Sequence, residues 1–266
     1  MKRALIGLTV MLAMAAPLRA EELSGRQIID QAIDRHEAPY DFEQQIMTLI
    51  DKKGNRELRD TRRYARKGAD GQFKYLIVFD SPPGVKGVAL LTWQHEAADD
   101  DQWLYLPAQG DQVKRIAKGS KKNYFMGTDF TYEDLVSESR EKFTYARLPD
   151  ETLEGATHYV VEITPADAAF AKESGYQKRV VWVRHDNFFV IRTDYYDKQG
   201  KLVKRQSAGN LESVGGDMWR AKTTNMENFS NGHATHVQVE TRKLEEAAAP
   251  EELFQQRFLT SGQHMR

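Results

Sequence analysis

The chain has 266 residues, 38 Lys+Arg against 39 Asp+Glu, and no cysteine. Without cysteine there are no disulfides, no thiol catalysis and no lipid-modified N-terminal cysteine. A formal charge of −1 with no basic tail argues against nucleic-acid binding. The length is enough for one large domain with a substantial core, expected over residues 21–266.

Residues 1–20 read as an export signal. Lys2 and Arg3 form a positive start, Ala4 to Ala16 an apolar run, and Pro17-Leu18-Arg19-Ala20 a cleavage site. Leu18 departs from the usual small residue there. Cleavage after Ala20 is expected, and it would take the formal charge from −1 to −4. No later stretch has the roughly 20 apolar residues that a membrane helix needs. The expected location is the periplasm, although an extracellular protein would carry the same signal.

The first mature element is a helix starting at Ser24. Ser24 and Gln27 form a capping box, and Ile28, Ile29, Ala32 and Ile33 share one apolar face. The helix ends near His36, before Pro39. Strands follow at 42–50, 57–67 and 72–80, separated by the turns Lys52-Lys53-Gly54-Asn55 and Gly68-Ala69-Asp70-Gly71. Turns this short join antiparallel strands. After Pro82-Pro83-Gly84 come strands at 87–93, 102–106 and 113–116. The second half predicts strands at 143–147, 157–164, 177–184, 188–196, 202–210, 218–225 and 235–245. A turn-like bridge at 148–155 separates the two strand sets. Short helices are expected at 166–173 and, opened by Pro250, at 251–256.

Most strands are apolar on both faces. In 73–79, Phe73, Tyr75, Ile77 and Phe79 share one face while Leu76 and Val78 share the other. An antiparallel sheet with one wet face alternates apolar with polar residues. Here both faces need cover, and few helices are available to supply it. A strongly curved antiparallel sheet with helices on its concave side, or a closed barrel around an apolar cavity, satisfies that demand. The expected class is mainly β with a few helices (α+β).

The most distinctive segment runs from Trp103 to Leu135. It reads W-L-Y-L-P-A, then V-K-R-I, then F-M-G-T-D-F-T-Y-E-D-L. This pattern resembles a bacterial periplasmic family of outer-membrane lipoprotein-sorting proteins, from about Gln27 to the C-terminus. The resemblance implies a LolA-like fold, an unclosed barrel with a helical lid, and a carrier of lipid or lipoprotein rather than an enzyme. It also implies, as a partner, an inner-membrane exporter of the resistance-nodulation type.

Other constellations have plainer readings. Asp129, Glu133 and Asp134 suggest an acid/base pair or a Ca²⁺ site, but they lack EF-hand spacing. The structural alternative is a short helix capped by Asp129 or Thr131 with carboxylates in its first turn. His95, Glu96 and Asp99 to Asp101 read as a charged hairpin tip, since H-E-x-x-H is absent. No G-x-S-x-G, P-loop or dinucleotide motif is present. The basic runs 56–66 and 114–122 read as solvated faces.

The reading is therefore a periplasmic carrier, without catalysis, metal or cofactor, that holds acyl chains of lipids or lipoproteins in an apolar cavity and moves them between membranes. Expected cavity-lining residues are Phe73, Tyr75, Ile77, Phe79, Leu90, Trp103, Tyr105, Tyr159, Val161, Trp182 and Phe188. Two other classes stay open: a periplasmic adaptor of a membrane transporter that binds no ligand, and a hydrolase using Asp129 and Glu133.

Overall fold

The structure is a computed structural model, and it describes residues 22–96, 98–109 and 112–265. The predicted export signal lies outside these residues. Thirteen strands form one antiparallel sheet. In chain order they are β1 (Tyr40–Ile50), β2 (Arg56–Lys67), β3 (Phe73–Phe79), β4 (Ala89–Trp93), β5 (Asp101–Leu106), β6 (Gln112–Arg115), β7 (Phe143–Leu153), β8 (Ala156–Pro165), β9 (Lys178–Arg184), β10 (Val190–Tyr196), β11 (Leu202–Gly215), β12 (Met218–Asn228) and β13 (His233–Lys243). The spatial order is β6-β5-β4-β3-β2-β1-β13-β12-β11-β10-β9-β8-β7. The chain thus zigzags out from β1 to one edge, crosses to the other edge, and returns to close β13 onto β1.

The sheet is not closed into a barrel, because β6 and β7 remain its edges. It is nonetheless strongly curled. Gln102 on β5 donates to the Tyr132 carbonyl at 3.1 Å. Lys204 on β11 donates to Asp134 at 2.5 Å. Seven strand spacings separate β5 from β11 in the sheet, ~34 Å if it lay flat. Tyr132 and Asp134 are two residues apart and span at most ~7 Å. Only a sheet wrapped around this segment brings both strands to it.

Cover comes from three sources. The helix α1 (Gly25–His36) has the expected Ser24–Gln27 capping box. It buries Ile28, Ile29 and Ala32 on the inner face against Val161, Ile163, Val181 and Val183. Further along the inner face, Phe125, Phe130 and Tyr132 pack on Phe79, Leu90 and Leu104. The outer face of β3–β5 is covered by the C-terminal segment, through Phe254 and Leu259. Trp93 Nε1 bonds to the Phe254 carbonyl at 2.8 Å, and Arg62 Nη2 to the His264 carbonyl at 2.8 Å. The C-terminal helical turns therefore serve the outer face, whereas helices were expected on the concave side alone. Leu76 and Val78 need cover as much as Ile77 does.

Several expected boundaries move. The bridge predicted at 148–155 is largely strand, because β7 runs on to Leu153 and turns only at Glu154-Gly155. Pro149 is tolerated there because β7 is an edge strand with a bulge between Leu148 and Glu151. The C-terminal helix is displaced: a 3₁₀ turn at Glu251–Phe254 precedes α3 (Gln256–Thr260). The expected helix at 166–173 forms as α2 (Ala168–Glu173), capped by Asp167, which accepts from the Phe170 N–H at 2.8 Å.

Gly25 sets how closely α1 approaches the sheet. A Cβ there would lie 2.9 Å from both the Arg147 nitrogen and the Tyr145 carbonyl oxygen of β7. Backbone cannot yield as a flexible side chain would. Gly25→Ala should therefore lower stability by about 2 kcal/mol, read as a shifted denaturation midpoint. An unchanged midpoint would mean the helix is not held at that distance.

Candidate functional site

Segment 123–136 is a plug made by local geometry. Met126 and Gly127 take positive φ values of 48° and 76° and reverse the chain. Phe125 N–H then bonds to the Phe130 carbonyl at 2.8 Å, and Tyr132 N–H to the Asn123 carbonyl at 3.1 Å. Thr131 caps a 3₁₀ turn at Tyr132–Leu135, and Asp134 accepts the Thr131 N–H at 2.7 Å. Of the two capping candidates, Thr131 takes the role. Asp129 instead points to the sheet, accepting from Asn228 Nδ2 at 3.0 Å and Thr235 Oγ1 at 2.9 Å.

Asp134 is the plug's main anchor. Its carboxylate meets Lys204, and both side chains are only 1 % exposed. Lys204 also donates to the Asp129 carbonyl at 3.1 Å. Its ammonium sits over the rings of Tyr124, Tyr176 and Tyr195, 5.0 to 5.6 Å from their centroids. The Tyr176 hydroxyl donates to Asp134 at 3.0 Å. A buried ion pair recovers its desolvation cost only when further hydrogen bonds and polar faces surround it, as they do here. Arg59 adds a third tie, donating to the Met126 carbonyl at 2.6 Å. Glu133 accepts the Gly175 N–H at 2.7 Å, and burial, with Asp134 beside it, holds its carboxyl above the usual range. Asp129 and Glu133 thus have separate anchoring partners, which favours the structural reading of this acidic cluster over the hydrolase reading.

Between the plug, α1 and the inner face lies a cavity of about 910 Å³. One wall is apolar and includes Met47, Phe73, Tyr75, Ile77, Phe130 and Val237. The Tyr75 hydroxyl donates to Ser137 Oγ at 2.7 Å. Burial, partly offset by Ser137, pushes that phenol up to about 12.

The floor is charged. Alternation along β1 turns Asp41, Glu43 and Gln45 inward, while Phe42 goes to the outer face beside Tyr64. Glu43 faces Arg63 across β2 and Arg242 across β13. Arg242 holds Glu43 at 2.8 Å and Glu212 at 2.9 Å. Arg220 stands 3.5 Å from Asp41. Burial pushes the Glu43 carboxyl up, but Arg63 and Arg242 outweigh it and leave it below the usual range. Asp41 is raised, by burial first and then by Glu43.

The eleven expected lining residues fall into five groups. Phe73, Tyr75 and Ile77 line this cavity. Phe79 and Leu90 are packed beneath the plug. Trp103 and Tyr105 sit in the outer cluster under the C-terminal segment. Tyr159, Val161 and Phe188 belong to the α1 cluster, and Trp182 packs with Val160 and Val180 apart from it. The charged floor and the contribution of α1 were not read from the sequence. Their signal was present: the turn at 52–55 sets the hairpin register that places Glu43 opposite Arg63. That register makes the polar alternation of β1 a complementary inner face.

A curled open sheet, an inner plug and a partly open cavity define a LolA-like fold. A structure from Vibrio parahaemolyticus, described as an outer membrane lipoprotein-sorting protein domain, is 32 % identical. It matches 89 % of this chain and 98 % of its own, with a TM-score of 0.83. A DUF1329 family protein from Desulfovibrio piger is 28 % identical over 88 % of this chain and 97 % of its own, with a TM-score of 0.82. A LolA superfamily protein from Nitrosomonas europaea shares the fold at 18 % identity, covering 89 % of this chain and 100 % of its own, with a TM-score of 0.70. A family model described only as an uncharacterized protein matches residues 71–261. No curated protein matches the chain. The chain belongs to the family of outer-membrane lipoprotein-sorting proteins, and its fold is LolA-like.

The anchor is testable by cycle. Lys204→Met leaves the Asp134 carboxylate buried without its cation and should cost about 3 kcal/mol in denaturant unfolding. Adding Asp134→Asn should recover much of that loss, because the uncompensated charge is gone. Independent, additive losses would show that the pair does not act as a unit.

Proposed function

We propose that the protein is a periplasmic carrier that holds acyl chains of a lipid or lipoprotein on its inner face and moves them between membranes. The observation that carries this reading is the 910 Å³ cavity between α1, the plug and the sheet, with Ile77, Met47 and Val237 on its apolar wall. Its size lies near the upper end of the range for small-molecule sites. Each methylene withdrawn from water contributes about 0.8 kcal/mol, so a chain crossing an aqueous compartment needs such shelter. The Vibrio parahaemolyticus relative, described as a lipoprotein-sorting protein domain, supports the same reading.

The plug supports it too. Side-chain ties to Asp134, Asp129 and Met126 hold it to the sheet, along with local backbone bonds of its own. A chain displacing Phe125 or Phe130 would keep the apolar inner face covered. Among the described residues no helix is long and apolar enough to cross a membrane, which suits a shuttle. Exchange of cargo with a resistance-nodulation-type exporter completes the proposal and rests on the family resemblance alone.

A solvatochromic fatty-acid probe should bind the purified protein stoichiometrically and be displaced by phospholipid. Ile33→Trp, which adds bulk at the cavity wall, should weaken binding by about tenfold with little change in melting temperature. Val78→Glu, on the outer face under the C-terminal segment, should lower stability instead. A folded wild-type protein that binds no probe would favour the ligand-free adaptor.

A further inference from the structure

The charged floor is more polar than shelter for an alkyl chain requires. Arg242 and Glu43 satisfy one another, but two neighbouring groups do not. Among the described residues, no hydrogen bond or ion pair is made by the Arg63 guanidinium, which lies over the Tyr75 ring at 5.7 Å. Asp41 is only 7 % exposed, and its Oδ1 has no hydrogen-bond partner. Among the described residues its other oxygen has only Arg220, at 3.5 Å. Arg63 pairs with Glu43 and Asp41 with Ala65, so Arg63 and Asp41 are diagonal neighbours on one face. Such neighbours are ~7–8 Å apart, within reach of one small dipolar group.

A buried carboxylate oxygen without a donor is costly, and so is a guanidinium held in a cavity with carboxylates nearby but no acceptor for its N–H groups. Each lacks what the other end of a zwitterion supplies. A purely anionic ligand would satisfy Arg63 but be repelled by Asp41 and Glu43. A purely cationic one would meet Arg63, Arg220 and Arg242. Burial, with Glu43 beside it, raises the Asp41 carboxyl, the condition that an added cation would relieve. Beyond this floor the same cavity continues to Met47, Ile77 and Val237.

We propose that Arg63 and Asp41 form a headgroup site, binding the phosphate and the ammonium of a phosphoethanolamine-type amphiphile whose alkyl part lies against Met47, Ile77 and Val237. This rests on the carrier reading and specifies the polar end of its cargo. Arg220 holds Asp41 in place, and Tyr75 supports the Arg63 plane. The anion is read by charge-assisted hydrogen bonds from a planar guanidinium, which suits phosphate oxygens.

Isothermal titration of the purified protein would use short-chain phosphatidylethanolamine, short-chain phosphatidylglycerol and free phosphoethanolamine, with the fatty-acid probe run in parallel. The ethanolamine lipid should bind about tenfold more tightly than the glycerol lipid, the size expected of one buried charge-assisted contact. Arg63→Met should weaken both lipids. Asp41→Asn should remove the preference while keeping affinity for the glycerol lipid, and Arg63→Lys should restore part of the affinity lost in Arg63→Met. Circular dichroism melts would confirm that each variant is folded. Equal affinity for the two lipids, or no effect of Arg63→Met, would overturn the headgroup site while bound fatty-acid probe left the carrier reading standing. Binding of free phosphoethanolamine, lost in Arg63→Met, without lipid or probe binding would uphold the site and overturn the carrier. Absence of binding to every ligand would overturn both.

Discussion

The contact on which the inner architecture depends is the ion pair between Lys204 and Asp134. Two charges at 1 % exposure are expensive to bury, and the surroundings show how the expense is met. Three tyrosine rings face the ammonium, and the Thr131 N–H and Tyr176 hydroxyl reach the carboxylate. Such a pair adds little net stability against an apolar alternative, but it is intolerant of displacement. It therefore fixes where segment 123–136 sits. That placement decides which part of the inner face is filled by Phe125, Phe130 and Tyr132 and which part remains open.

The second constraint is that β3 to β5 and β8 to β9 are apolar on both sides. The outer cluster of β3–β5 is closed by Phe254 and Leu259, arriving from the end of the chain. Inside, α1 closes β8 and β9 while the plug closes β3 to β5. The plug reaches one end of β1, β2 and β13 through Met47, Arg59 and Thr235, and the gap lies at their other end, where the inner side chains are Asp41, Glu43, Arg63 and Arg242. Charged residues line the gap because no apolar element covers them. The cavity is thus the part of a curled sheet that two separate covers leave between them.

Much of the fold was legible in the sequence, because its signals are local. The Ser24–Gln27 box, the short turns and the two-faced strands specify α1, the hairpins and a curled antiparallel sheet. Less of the site could be read. Lys204, between Val203 and Arg205, looks like any surface lysine, and only its pairing with a residue 70 positions away makes it an anchor. Asp129 likewise finds Asn228 and Thr235 about a hundred residues on. Aromatic strand positions such as Trp103, Tyr105 and Trp182 looked like cavity lining, but outer cover takes the first two and a separate small cluster the third. In β1 the apolar residue Phe42 turns outward to Tyr64, which gives the inner face to Asp41 and Glu43.

If the protein is a periplasmic carrier whose cavity shelters acyl chains, material released gently from the periplasm should carry them. Native mass spectrometry of that material would show the chain with an added mass that collisional activation releases as an intact lipid or acylated peptide. A homogeneous, ligand-free mass, unchanged after incubation with phospholipid vesicles, would contradict the carrier function.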